Sequence, residues 1–146
     1  MRTLFLNPPS FENFDGGAGS CWPATREIEA YWYPVWLCYP VGMIPDRKVV
    51  DAPPHNHRGA VAIAKGFELV VLFTSSPGLS ADRIAEMMKG SNPGLKVAFV
   101  APPVTIEPER VLQTSRAIDS VVRREFDYPI VSFANGAPLS RLMFFK

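Results

Sequence analysis

The stretch Glu68-Leu69-Val70-Val71-Leu72-Phe73-Thr74 decides the fold. Large apolar side chains follow one another from Leu69 to Phe73 without a break. Strand side chains point alternately to opposite faces, so an unbroken apolar run needs cover on both faces at once. Double cover is the property of a parallel sheet flanked by helices, whereas a half-solvated antiparallel strand alternates apolar with polar. Ser75-Ser76-Pro77-Gly78 then stops the run.

Four further strand patterns lie on either side. Thr3–Leu6 is stopped by Asn7-Pro8-Pro9-Ser10, and Arg47–Asp51 by Ala52-Pro53-Pro54. Lys96–Val100 is stopped by Ala101-Pro102-Pro103, and Ser120–Arg123 follows Ile118. Helical patterns alternate with them. Ser80 can cap a helix through Lys89, with Ile84, Met87 and Met88 on one face and Gly90 as its stop. Arg58–Lys65 is a short helix followed by Gly66, and a helix is expected from near Pro34 to Gly42. Pro108 and Pro129 each suit a first helical turn, the latter with Gly136 past its end. This alternation predicts an α/β fold: a Rossmann-like, flavodoxin-like, doubly wound sheet of five parallel strands in three layers, order 2-1-3-4-5.

Composition narrows the function. The 146 residues suit one domain, and a domain of that length buries roughly 68–70% of its unfolded surface without a metal or disulfide. At 47% hydrophobic and 20% charged residues, the chain is not of the disordered class. A net charge of +1 gives no electrostatic footprint for nucleic acid, and no apolar run is long enough for a membrane span. The first residues run straight into strand-like sequence without a leader pattern, so a cytoplasmic protein is expected. Cys21 and Cys38 are too few for a disulfide framework. His55 and His57 lack a third placed ligand and read as a solvated loop rather than a metal site. The long connection Phe11–Asp46 carries Gly16-Gly17-Ala18-Gly19 and the aromatic cluster Tyr31–Tyr39, read as core and loop packing.

In open α/β sheets ligands bind beyond the carboxyl ends of the strands, where strand order reverses. That edge would be built from Asn7, Pro8, Pro9 and Ser10, from Thr74, Ser75 and Ser76, and from Ala101, Pro102, Pro103 and Thr105. Arg123 and Glu125, after the fifth strand, could polarise a ligand there. Proline is a good strand stop, which explains part of the 15 prolines. Each proline also removes a backbone N–H, and an edge stripped of donors is poor at cradling phosphate. It suits a broad, apolar or amide-rimmed ligand better. The usual phosphate-binding signatures are missing. Gly17-Ala18-Gly19 lacks the third glycine of a dinucleotide loop and lies far from Leu6. No Walker loop or flavodoxin-type phosphate loop follows the first strand. A receiver domain would need acidic residues where Asn7 and Thr74 stand.

The motifs Leu-Phe-Leu-Asn-Pro-Pro-Ser (4–10), Phe-Thr-Ser-Ser-Pro-Gly (73–78), Val-Ala-Pro-Pro-Val-Thr (100–105) and Val-Val-Arg-Arg-Glu-Phe-Asp (121–127) resemble the N-terminal cobalamin-binding domain of B12-dependent radical SAM enzymes. Asn-Phe-Asp-Gly-Gly-Ala-Gly-Ser (13–20) and Asp-Ala-Pro-Pro-His (51–55) point to the hopanoid-biosynthesis branch of that family. The resemblance covers residues 1–140 as one domain and leaves 141–146 as a C-terminal tail. It implies a cobalamin-binding module, with the corrin over the carboxyl edge and the nucleotide tail beside the third and fourth strands. The loop after the first strand lacks the Asp-x-His-x-x-Gly of mutase-type cobalamin domains, so cobalamin is expected without a histidine lower ligand.

The chain also departs from that family. Two cysteines seventeen positions apart cannot form the Cys-x-x-x-Cys-x-x-Cys triad of a [4Fe–4S] cluster, so neither cluster nor S-adenosylmethionine site is expected. The expectation is a detached or excised domain, or a truncated reading frame, whose partner would be a radical SAM catalytic domain and which has no activity alone. Two alternatives stand beside it: an interaction module of the same fold that has lost its ligand, and a stand-alone small-molecule enzyme.

Overall fold

The structure is a computed structural model, and it describes residues 1–9, 11, 34–73, 81–100, 102–138, 140 and 142–144. Strand β1 (Thr3–Asn7) leads to helix α1 (Val35–Met43) and β2 (Arg47–Asp51). A 3₁₀ turn (Pro53–His55) and α2 (Asn56–Ala64) precede β3 (Leu69–Phe73), α3 (Ala81–Ser91) and β4 (Lys96–Val100). The chain continues through α4 (Pro102–Ile106), α5 (Pro108–Thr114), β5 (Ser120–Arg123), α6 (Asp127–Ala134) and β6 (Leu142–Phe144). All strand pairs are parallel, in the order β2-β1-β3-β4-β5-β6.

The central strands bury both faces as the apolar run requires. Leu4, Leu6, Val70, Leu72, Val97, Phe99 and Val121 face one core with Ala60 and Ala64 of α2 and Ile84, Ala85 and Met88 of α3. Phe5, Leu69, Val71, Phe73, Ala98, Val100 and Val122 face a second core with Leu37 of α1 and Ile130 and Phe133 of α6. Successive residues of one strand thus feed opposite cores, which is the three-layer, doubly wound arrangement.

Three details differ from the sequence reading. The sheet gains a sixth strand: Leu142–Phe144, inside the expected tail, pairs with β5 from Val121↔Leu142 to Arg123↔Phe144. Its approach is fixed by the buried Ser120, whose hydroxyl donates to the Ser140 carbonyl at 2.6 Å. Gly90 does not stop its helix; α3 runs on to Ser91, and Asn92 N–H still reaches the Met88 carbonyl at 2.9 Å. A Cβ at Gly90 would meet open space, and the helix is held by its buried face at Ala81, Ile84, Ala85 and Met88. The Ala101-Pro102-Pro103 stop also opens a helix. Two prolines at the start of α4 lose no helical bond, because the first N–H groups of a helix have no intrahelical partner.

The amino-terminal edge of the sheet is tied by one acid. Asp119 accepts from Lys89 Nζ and from the Val97 N–H, each at 2.7 Å, and so joins α3, β4 and the approach to β5. Both side chains of the ion pair are about three-quarters buried, at 23% and 26% exposure. Asp119→Ala is expected to cost about 1–3 kcal/mol, since it strips charged and backbone donors of a shared acceptor. Urea unfolding checks this; a midpoint unchanged at constant slope would refute it.

Candidate functional site

Parallel strands share a direction, so their carboxyl ends meet on one edge, and order reverses there between β1 and β3. Asn7 ends β1 and is buried at 3% exposure. Its Nδ2 donates to Asp51 Oδ1 at the end of β2, 2.7 Å away, and its carbonyl accepts the Ala52 N–H at 2.9 Å. Pro8 and Pro9, which follow, are also buried. The 3₁₀ turn after β2 opens with Pro53 and Pro54, and α4 after β4 opens with Pro102. Each of these three described strand ends therefore runs into paired prolines, and at those three ends the edge is poor in backbone N–H donors.

Of the site residues read from the sequence, Ser10, Thr74, Ser75, Ser76 and Ala101 lie outside the described residues, as do Gly16–Gly19, Cys21 and Tyr31–Tyr33. Thr105 and Arg123 are brought together, in a structural role. Arg123 Nε donates to the Thr105 carbonyl at 3.2 Å, and Thr105 Oγ1 accepts the Arg124 N–H at 2.9 Å. Glu125 is exposed beside them. Burial raises the Asp127 carboxyl above its ordinary value, and the Glu125 charge pushes the same way.

The histidines divide. His55 is exposed, as a loop residue would be. His57 is half-buried in α2, and its ring stacks on Phe11 with centroids 3.7 Å apart and planes 19° apart. Arg83 of α3 lies 4.0 Å from the centroid of the same Phe11 ring. Two groups that close to one centroid cannot share a face, so Phe11 is held between a histidine and a guanidinium. The solvated-loop reading fails for His57 because the segment after β1 folds back over α2. Among the described residues no group of His, Cys, Asp and Glu could hold a metal ion. Among them, too, no helix is long and apolar enough to cross a membrane.

The larger feature of this edge was not legible in the sequence. A cavity of about 600 Å³ opens between α1, the end of β3, α4 and the turn from β5 to α6. Trp36, Phe73 and Phe126 supply aromatic walls, and Pro102, Thr105 and Ile106 of α4 form another side. Trp36 and Phe73 are 5.2 Å apart and tilted by 42°. Among the described residues lining it, Arg124 is the one that carries a charge. Its backbone has φ 59°, a left-handed conformation that costs a non-glycine residue of order 1 kcal/mol. No spacing in the sequence marks such a residue; the signal is the contact with Thr105, nineteen positions away.

Set against protein-family models, curated proteins and solved structures, the chain matches none. Its own geometry defines its class: a Rossmann-like, doubly wound α/β protein with a proline-ended carboxyl edge.

The Thr105 hydroxyl is the element of this edge most open to test. Thr105→Val keeps the shape and removes the acceptor from the Arg124 N–H. It is expected to destabilise the fold by about 1 kcal/mol. A thermal midpoint at or above that of the parent would show that the hydroxyl does not hold the turn.

Proposed function

We propose that the chain is a cofactor-binding module whose carboxyl edge takes cobalamin, in the manner of the cobalamin domains it resembles in sequence. One observation carries the reading. The edge that binds ligands in this fold has lost N–H donors of the kind that hold nucleotide phosphates at three of its strand ends, where Pro8-Pro9, Pro53-Pro54 and Pro102-Pro103 follow. A broad ligand with an apolar body and an amide rim suits such an edge. The aromatic cavity beside it is within the ~300–1,000 Å³ typical of small-molecule sites. Asn7, buried and bonded to Asp51, stands where a ligating loop would begin in mutase-type domains, and no histidine follows it. A corrinoid bound here would supply its cobalt centre; this chain's residues would hold and orient it, without an imidazole beneath the metal. Its catalytic partner would be a radical SAM domain, and a hopanoid-type lipid would be the substrate of the pair. The protein would work in the cytoplasm.

A second reading is favoured by α1. Val35, Tyr39 and Met43 are exposed at helical spacing, and Tyr128 of the adjoining α6 is exposed too. An apolar stripe in that position suits an interaction module that uses the fold without a ligand.

Mixing the protein with hydroxocobalamin, desalting it and scanning the visible spectrum separates the readings. Retained corrin absorbance near one equivalent is expected. His55→Ala and His57→Ala are expected to retain it, and Ser75→Leu to weaken binding roughly tenfold to a hundredfold by steric overlap. Loss of all corrin on desalting overturns the cofactor reading in favour of the interaction module. Loss of binding in the histidine variants alone would place the ligand elsewhere.

A further inference from the structure

We infer that the cavity between α1, α4 and the β5–α6 turn binds a flat apolar molecule carrying one anionic group, with the Arg124 guanidinium as the anion's partner. This goes beyond the cobalamin reading and does not depend on it. The apolar part of the ligand follows from the walls. Trp36, Phe73 and Phe126 present rings, and Ile106 is 75% exposed where it adjoins them. Rings favour a planar ligand that can stack or meet them edge-on.

The anionic part follows from Arg124. Glycine is the residue that tolerates φ 59° without cost, yet an arginine stands there. The strained backbone is held from α4 by Thr105, whose hydroxyl accepts the Arg124 N–H. That bond fixes where the side chain leaves the turn, at the cavity wall. Among the described residues the guanidinium has no ion-pair partner, unlike Arg2 with Asp46, Lys89 with Asp119 and Arg110 with Glu107. Burial and the Glu125 charge raise the carboxyl of Asp127, three residues on. The neighbouring backbone offers an anion less than a helix start usually does. Pro102 and Pro103 open α4, so the helix start beside the cavity lacks two of the four N–H groups that would otherwise greet an anion. A side chain is therefore the stronger partner for the anion, and among the described lining residues Arg124 is the cation in place.

Two probes isolate the charge. 1-Anilinonaphthalene-8-sulfonate and N-phenyl-1-naphthylamine share one ring frame and differ by the sulfonate. Fluorescence titration of the folded protein is expected to give one saturable site for each, with the sulfonate bound roughly tenfold tighter, the effect of one charge-assisted hydrogen bond at a partly open site. Arg124→Gly and Arg124→Gln are expected to erase that preference and to leave the neutral probe unchanged. Arg124→Gly is expected to melt no lower than the parent, because it relieves the backbone. Equal affinity for the two probes in the parent, a preference that survives both substitutions, or no saturable site for either probe overturns the inference.

Discussion

Everything in the molecule rests on β3 being sealed from water on both faces. Leu69, Val70, Val71 and Leu72 have no exposed surface, and Phe73 has 7%. Ordering a strand costs about 1–2 kcal/mol per residue in backbone entropy. Burying a Val, Leu or Phe side chain returns about 1.5–3 kcal/mol. The balance favours the strand only while every side chain is covered. That requires helices on both sides, with Ile84 and Met88 of α3 in one core and Leu37 of α1 and Phe133 of α6 in the other. It also requires neighbours on both edges, and β1 and β4 pair with β3 in parallel. Parallel pairing and helices on both faces are thus one demand.

The same demand creates the ligand edge. With all strands pointing one way, Asn7, Asp51, Phe73, Val100 and Arg123 end together. The chain must leave the sheet there, and at the ends of β1, β2 and β4 it leaves through paired prolines. At β4 the pair Pro102-Pro103 acts twice: it ends the strand and starts α4 without losing a helical bond. The consequence is chemical as well as structural. A helix start normally offers four free N–H groups to an anion, and the two prolines remove two of them here. Recognition at the edge passes to side chains and to apolar contact.

How much of this was legible in the sequence depended on range. Arg47–Asp51, Lys96–Val100 and Ser120–Arg123 are strands at the bounds their apolar runs and proline stops imply. The strand order follows from burial and connection rules, which are properties of whole segments. Misreadings came where tertiary packing overrides a local signal. Gly90 looks like a helix stop, but the buried face of α3 carries the helix one residue past it. Leu142–Phe144 is too short and too flanked by charge to read as a strand, yet β5 gives it a ladder to join. The candidate site was least legible. Arg123 drew attention as a charged residue at the edge, and it is bonded to the Thr105 carbonyl. Its neighbour Arg124 lines the cavity, because a backbone turn that no residue pattern announces rotates it there.

Thr105 links the two parts of that cavity. A helix of five residues cannot hold itself in water, since the cost of the first turn exceeds what so few bonds return. α4 persists because Val104 is fully buried and because Thr105 is bonded through both its carbonyl and its hydroxyl to the end of β5. The hydroxyl that steadies the α4 wall is also the group that holds Arg124 in its left-handed turn. Wall and cation are therefore ordered by one contact. A ligand that touches both favours the state in which that contact is made, and by linkage its binding energy adds to the stability of α4 and of the turn together. The strain at Arg124 is then intelligible: it is a small fixed cost that the Thr105 contact sustains before any ligand arrives, so the backbone that carries the guanidinium does not have to be ordered at the moment of binding.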